Sequence, residues 1–204
     1  MATEASDGPA IEALMLAAGA ARRFGGGKLT APWRGGVLLD GALAAAFAAP
    51  APTVTVVTGA DAAAVEAAAR AFAAQAGEVG RLRIVHAADH AEGMAASLRA
   101  GIVSLPPDAA GAFVFLGDMP RVPHAVLAPL AAAVAAGASA AAPVHQGRRG
   151  NPVAFARSLF PELAELRGDQ GARKILDRLG PDLALITSPD DGVLFDVDER
   201  GDLN

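Results

Sequence analysis

Leu14-Met15-Leu16-Ala17-Ala18-Gly19-Ala20-Ala21-Arg22-Arg23-Phe24-Gly25-Gly26-Gly27-Lys28 decides how the rest of the chain is read. Ile11 to Leu16 is a segment of strand length that ends in an apolar run, and such a run fits a strand covered on both faces. It stops abruptly at small residues and glycines, whose backbone can approach a ligand closely. Arg22, Arg23 and Lys28 place cations among those glycines, where a polyphosphate needs them. The stretch therefore predicts a buried strand that ends in a polyphosphate-binding loop.

Outward from it, the chain alternates strand and helix patterns. Thr53 to Thr58 is almost wholly β-branched and reads as a second strand. Leu82 to Val85, Ala112 to Leu116 and Ser139 to Val144 read as further strands. Between them, helices are expected over about 41–49 (capped by Asp40), 62–75 (capped by Gly59-Ala60-Asp61), 95–104 and 124–136. Such alternation implies α/β architecture: a mostly parallel, Rossmann-like sheet between two helical layers, with right-handed crossovers. Loops at the carboxyl ends of the strands then share one sheet edge, where ligands bind in open sheets. The glycine loop and Asp118 both fall there.

Past about residue 145 the pattern loosens. A polar segment, His145 to Pro152, leads to a short strand over 153–155. Helices follow over about 158–166 and 171–179, and short strands over 183–187 and 194–197. Residues 1–9 read as a frayed leader, and 10–204 as one domain whose later part, about 145–198, forms a second half of the site.

Composition narrows the function. Hydrophobic residues make up 52% of the 204, largely as alanine, so the core is lined by small side chains. A net charge of −5 and 4% aromatics argue against a nucleic-acid surface built on cations or stacking rings. The absence of cysteine excludes disulfides and thiolate metal sites and fits a cytoplasmic protein. No segment resembles a signal peptide or a membrane span. With no cysteine nucleophile and no Gly-x-Ser-x-Gly, a covalent hydrolase is disfavoured.

Two common phosphate loops fail on named residues. A P-loop needs Gly, four residues, then Gly-Lys-Ser/Thr; here Arg22 stands at the first glycine and Leu29 at the hydroxyl position. A dinucleotide fingerprint needs a second glycine two residues after the first, and Ala21 stands there. What remains is Leu16-Ala17-Ala18-Gly19, then Arg23-Phe24-Gly25 and Lys28. This pattern resembles the signature of nucleotidyltransferases with a glycosyltransferase-A-like fold, and more narrowly the molybdenum cofactor cytidylyltransferase group. The chain departs from that pattern at Ala21, where the family often has Ser, and at Phe24, where it usually has Met.

Five later pieces continue the resemblance in order. Gly93-Met94-x-x-Ser97-Leu98-x-x-Gly101 begins a helix whose free N–H groups suit a polar ligand, although Met94 and Leu98 read equally well as core. Gly117-Asp118-Met119-Pro120 puts a carboxylate just past a buried strand, suited to magnesium or simply to a turn. Gly150-Asn151-Pro152 and Leu166 to Arg173 follow, with Asp169 also readable as the cap of the helix carrying Arg173. Arg148, Arg149 and Arg173 are candidates to meet an anionic acceptor. Last comes Asp196-Val197-Asp198, with two carboxylates on one face of an expected strand. Glu199-Arg200 replaces the family's Thr-Pro there. Among the histidines only His145 is kept as a candidate for chemistry.

The resemblance implies a magnesium-dependent enzyme that moves a nucleoside monophosphate from its triphosphate to a phosphorylated acceptor and releases pyrophosphate. By the same resemblance Leu16, Ala17, Ala18, Gly19, Arg23, Lys28 and Ser97 bind the nucleotide. Arg23, Lys28 and Asp118 are the catalytic set. Asp118 holds the metal with Asp196 or Asp198, and Asn151, Asp169 and Arg173 belong to the acceptor side. Ala18 points to CTP over GTP, since Leu-Ala-Ala-Gly tends to accompany CTP in the family. A molybdopterin-type acceptor and a recipient molybdoenzyme are the implied partners. Open alternatives are a sugar-phosphate or polyol-phosphate nucleotidyltransferase and a non-catalytic protein that delivers nucleotide or cofactor.

Overall fold

The computed structural model describes residues 10–21, 23–168 and 171–203. The first strand, β1 (Ile11–Ala17), is buried along its whole length. A two-strand hairpin follows, β2 (Pro32–Trp33) and β3 (Gly36–Val37), then α1 (Leu38–Ala48), β4 (Val54–Thr58), α2 (Ala62–Ala76) and β5 (Leu82–His86). The chain continues through α3 (Met94–Val103), β6 (Gly111–Leu116), α4 (Leu127–Ala135) and β7 (Ala140–His145). It closes with β8 (Arg148–Arg149), β9 (Val153–Ala156), α5 (Phe160–Ala164), α6 (Arg173–Leu179) and β10 (Leu183–Thr187).

The main sheet runs β10-β7-β9-β6-β1-β4-β5, with β8 paired to β7. β4, β1 and β6 are parallel, as are β4 and β5 on one side and β7 and β10 on the other. β9 alone runs antiparallel to both of its long neighbours, β6 and β7. β1 is central because it offers apolar residues to both faces. Ala13, Met15 and Ala17 belong to the core under α1, α2 and α4. Leu14, Leu16 and Ala18 belong to the opposite core under α3, α5 and α6. The two-residue period of a strand thus divides one run between two hydrophobic layers. Glu12 breaks the apolar run, yet it is 4% exposed. Its carboxylate accepts from the Thr53 amide and hydroxyl, which satisfies it at the end of the sheet remote from the glycine loop.

The expected α/β/α layering and mostly parallel sheet are present. Several local readings differ. α1 starts at Leu38, and Asp40 sits inside its first turn, accepting from the Val37 N–H at 2.9 Å instead of capping from outside. Asp61 precedes α2 but makes no cap hydrogen bond there; its carboxylate takes the Gly27 N–H at 3.3 Å. The helix expected over 158–166 is a 3-10 turn followed by the five-residue α5. The strand expected over 194–197 does not form: Asp191–Leu194 is a 3-10 turn, and the next residues are extended without a strand partner. Val197 gives its N–H to the Asp118 carbonyl at 3.0 Å, so this segment is pinned to the loop after β6 and not to the sheet.

Close backbone approaches fix that segment. A Cβ on Gly150 would lie 2.2 Å from the Val193 carbonyl oxygen, and one on Gly192 would lie 2.0 Å from that of Arg121. Only glycine permits either approach, and together they bring the C-terminal carboxylates beside Asp118. Among the described residues no helix is long and apolar enough to cross a membrane.

Candidate active site

The glycine loop is wound around one carbonyl. The N–H groups of Phe24, Gly25 and Gly26 all point to the Ala21 oxygen, at 3.0, 3.1 and 3.2 Å. Ala21, Gly25, Gly26 and Gly27 have positive φ. Glycine takes that conformation without cost, whereas Ala21 holds it at a cost of about 1–2 kcal/mol. Phe24 anchors the loop in the core at 3% exposure, with the Arg200 guanidinium over its ring. Gly19 differs from the other loop glycines: its φ is not left-handed, and a Cβ there would meet nothing within 4 Å. The fold itself does not demand glycine at that position, and the space a methyl would take belongs to the cavity.

That cavity, of about 620 Å³, lies at the carboxyl ends of β1 and β6. Its wall contains Leu16, Ala17, Ala18, Gly19, Arg23, Lys28, Ser97, Asp118 and Asp198. One space therefore gathers every nucleotide-side residue expected from the sequence, together with Asp118 and Asp198. Lys28 donates to Asp118 at 2.6 Å and to the Val197 carbonyl at 2.8 Å, with its side chain only 11% exposed. Arg23 pairs with Asp198 at 3.0 Å in a solvent-exposed contact. Asp196 does not line the cavity, but it feels the group: partial burial raises its carboxyl above the ordinary aspartate range, followed by repulsion from Asp118 and Asp198.

A second cavity of about 540 Å³ adjoins the first and shares Leu16, Met94 and Leu116 with it. Arg148, Arg149, Asn151 and Arg173 stand in its wall, and Leu98, Val114, Val153, Phe155 and Leu176 give it an apolar lining. Arg149 also pairs with Asp177 at 2.7 Å. Asn151 and Arg173, expected on the acceptor side, are thus brought together, while Asp169 lies outside the described residues, as does Arg22.

Two expectations are corrected. The N–H groups of Ala95 and Ala96 at the start of α3 are not free for a ligand, because the first donates to the Gly168 carbonyl and the second to that of Gly93. Asp196 and Asp198 flank the buried Val197 on the exposed side of an extended segment, not of a strand. Sequence reasoning also missed His90, which lines the first cavity. Its signal was available in its place just ahead of Gly93-Met94, but no ligand spacing marked it. His145, the histidine kept as a candidate, contacts the Ser188 carbonyl at 3.5 Å and lines neither cavity.

The donor set suits a hard divalent cation. Burial and the neighbouring Asp118 and Asp198 disfavour the Asp196 carboxylate, repulsion that such an ion relieves, and Lys28 and Arg23 pair with Asp118 and Asp198. Among the described residues no three His, Asp or Glu side chains are close enough to form a complete metal cage.

A mostly parallel sheet whose first loop and fourth parallel strand present cations and a carboxylate to one cavity defines a nucleotidyltransferase. The chain belongs to the MobA-like NTP transferase domain family, whose model matches residues 13–183. Among solved structures it is similar to Rv0371c from Mycobacterium tuberculosis H37Rv, with 28% identity over 95% of both chains and a TM-score of 0.79. A manganese complex of Rv0371C is also similar, with 26% identity over 89% of each chain and a TM-score of 0.70. The molybdopterin-guanine dinucleotide biosynthesis protein A of Archaeoglobus fulgidus shares the fold, at 22% identity over 95% of both chains and a TM-score of 0.65. No curated protein gives a significant match.

Proposed function

We propose that the protein is a magnesium-dependent cytidylyltransferase that transfers CMP from CTP to a molybdopterin-type acceptor and releases pyrophosphate. The observation that carries this reading is the pair of adjoining cavities that share Leu16, Met94 and Leu116. One presents the glycine loop, Lys28 and Asp118; the other presents three arginines over an apolar lining. Two ligands seated side by side across that wall are held for direct transfer, which supplies much of the rate through positioning.

In this reading the acceptor phosphate attacks the α-phosphorus and the α–β bridging oxygen departs with pyrophosphate. Arg23 and Lys28 leave their carboxylates to neutralise the triphosphate, and the loop amides orient it. Asp118, with Asp196 or Asp198, holds the magnesium. When bound, magnesium supplies charge neutralisation at the phosphates. The manganese complex of a 26%-identical relative supports a divalent-cation site. Ser97, 5% exposed in the wall of the first cavity, contacts the nucleoside. Arg148, Arg149 and Arg173 receive the acceptor's phosphate, with Asn151 beside them.

Leu98, Val114, Val153, Phe155 and Leu176 offer an apolar face against which a flat heterocyclic acceptor can pack, beside the arginines that meet its phosphate. Pyrophosphate release should be measured with each of the four ribonucleoside triphosphates against molybdopterin, sugar phosphates and polyol phosphates. Release confined to CTP with molybdopterin is expected. Faster release with a sugar or polyol phosphate would overturn the acceptor assignment, and equal turnover of GTP would overturn the base assignment.

A further inference from the structure

We infer that Arg99 is a positioning residue, which holds the loop bordering the acceptor cavity in register with the turn bordering the nucleotide cavity; the names of the two cavities rest on the reading above. Arg99 lies on α3, with its side chain 19% exposed. One end of its guanidinium donates to the Leu166 carbonyl at 2.8 Å, and the other to the Glu92 carboxylate at 3.0 Å. Glu92 belongs to the 3-10 turn His90–Glu92, and His90, Ala91 and Gly93 line the first cavity. Leu166 begins the loop that leads to Gly171, Ala172 and Arg173 of the second cavity. A single side chain therefore spans from one cavity's border to the other's.

Just after α5 the Glu165 N–H donates to the Glu162 carbonyl at 3.2 Å and the Leu166 N–H to that of Leu163 at 3.5 Å, so the Arg99 bond to Leu166 is shorter than either. A second tie comes from the same helix, where the Ala95 N–H donates to Gly168 at 3.1 Å. Next to both ties stands Met94, which lines both cavities and lies 3.1 Å from where a Cβ on Gly171 would sit. A guanidinium is a rigid planar fork, so its two bonds fix the separation of a carbonyl on one loop and a carboxylate on the other. Lysine, a point charge on a flexible stem, can keep one of these contacts but cannot set their spacing. Anything that orders the His90–Glu92 turn, such as a nucleotide filling the first cavity, is thereby transmitted to the start of the acceptor loop.

Hydrogen exchange by mass spectrometry on the full chain tests this directly. In the ligand-free protein, Arg99→Met is expected to speed exchange over residues 163–168 about tenfold or more, with little change across β1 and β6. Adding CTP and magnesium to the wild type is expected to slow exchange in 14–28 and also in 163–168. In Arg99→Met and in the milder Glu92→Gln, only 14–28 should slow. Arg99→Lys should fall short of restoring the coupled protection. In turnover assays Arg99→Met should raise the acceptor KM about tenfold while changing the CTP KM about twofold at most, a split that a general loss of stability would not give. Unchanged exchange at 163–168 in Arg99→Met, or coupled protection that survives in it, would overturn the proposal. Absence of CTP protection at 14–28 in the wild type would instead refute the nucleotide reading, leaving the ligand-free comparison to decide the role of Arg99.

Discussion

Lys28 Nζ stands 2.6 Å from Asp118 Oδ2, so the cation of the glycine loop is spent on the carboxylate that follows β6. The same ammonium holds the Val197 carbonyl at 2.8 Å, and one side chain thereby ties together the loop after β1, the loop after β6 and the C-terminal segment. Arg23 does the same for Asp198, but in the open, where an ion pair contributes little. Both cations of the loop are thus paired within the protein, and under the proposed function a metal–triphosphate complex exchanges these internal pairs for pairs with the substrate.

Removing Lys28 separates its two roles. Lys28→Met is expected to cost about 1–3 kcal/mol of stability, because Asp118 loses a charged partner in a part-buried setting. The variant should bind manganese more tightly than the wild type in the absence of nucleotide, since no ammonium competes for the carboxylate. Its turnover should fall about a hundredfold or more, as expected for loss of a cation at developing phosphate charge. Denaturant melts, manganese titration by electron paramagnetic resonance and pyrophosphate assays read the three effects separately.

Gly19→Ala tests whether the first cavity is where the triphosphate sits. The backbone there accepts alanine and a new methyl meets no protein atom, so stability should hold or rise by about 0.4–1 kcal/mol. Nucleotide affinity, measured by calorimetry, should nonetheless drop sharply. A variant that binds CTP as the wild type does would place the phosphates elsewhere.

Asp196 carries a pH signature. Its folded-state pKa is raised, first by partial burial and then by Asp118 and Asp198. The ionised form therefore costs the folded protein stability. That cost is complete above the folded-state value, shrinks as pH falls through it, and is gone below the unfolded value near 3.8. Asp196→Asn should accordingly melt higher than the wild type at neutral pH without added metal, with the gap closing as pH falls toward 4. A gap that widens on acidification would show that Asp196 is stabilised as a carboxylate.

Under the proposed function, base choice is set behind the loop. Ala18 is 3% exposed, and a Cβ on Gly59 would lie 2.6 Å from the Ala18 Cβ and 2.8 Å from that of His90. The wall is already closely packed, so Ala18→Gly enlarges the cavity where no neighbour readily fills in. The ratio of kcat/KM for GTP to that for CTP should rise, by up to about tenfold for one methyl.

Much of the fold was legible because β1 and β6 carry apolar runs with abrupt ends, as a strand covered on both faces demands, and β4 is β-branched throughout. Most residues expected in the first cavity were legible because they follow such a strand or open a helix, whereas His90 does neither. What escaped the sequence was tertiary. Phe195 and Val197 alternate with polar residues as a strand would, but the Val197 amide is taken by Asp118. Asp61 looked like a helix cap and instead holds Gly27. Arg99 carried no signal in the sequence, because nothing local shows that Glu92 and Leu166 meet at its two ends.

The central claim is that this site moves a nucleoside monophosphate onto a phosphorylated acceptor, with Asp118 at its centre. CTP labelled at the α-phosphate should be incubated with molybdopterin, magnesium and either the wild type or Asp118→Ala. The label is expected in a molybdopterin–cytosine dinucleotide, with an equal amount of pyrophosphate, for the wild type alone. Label that never leaves the mononucleotide pool, or transfer that proceeds unchanged in Asp118→Ala, would contradict it.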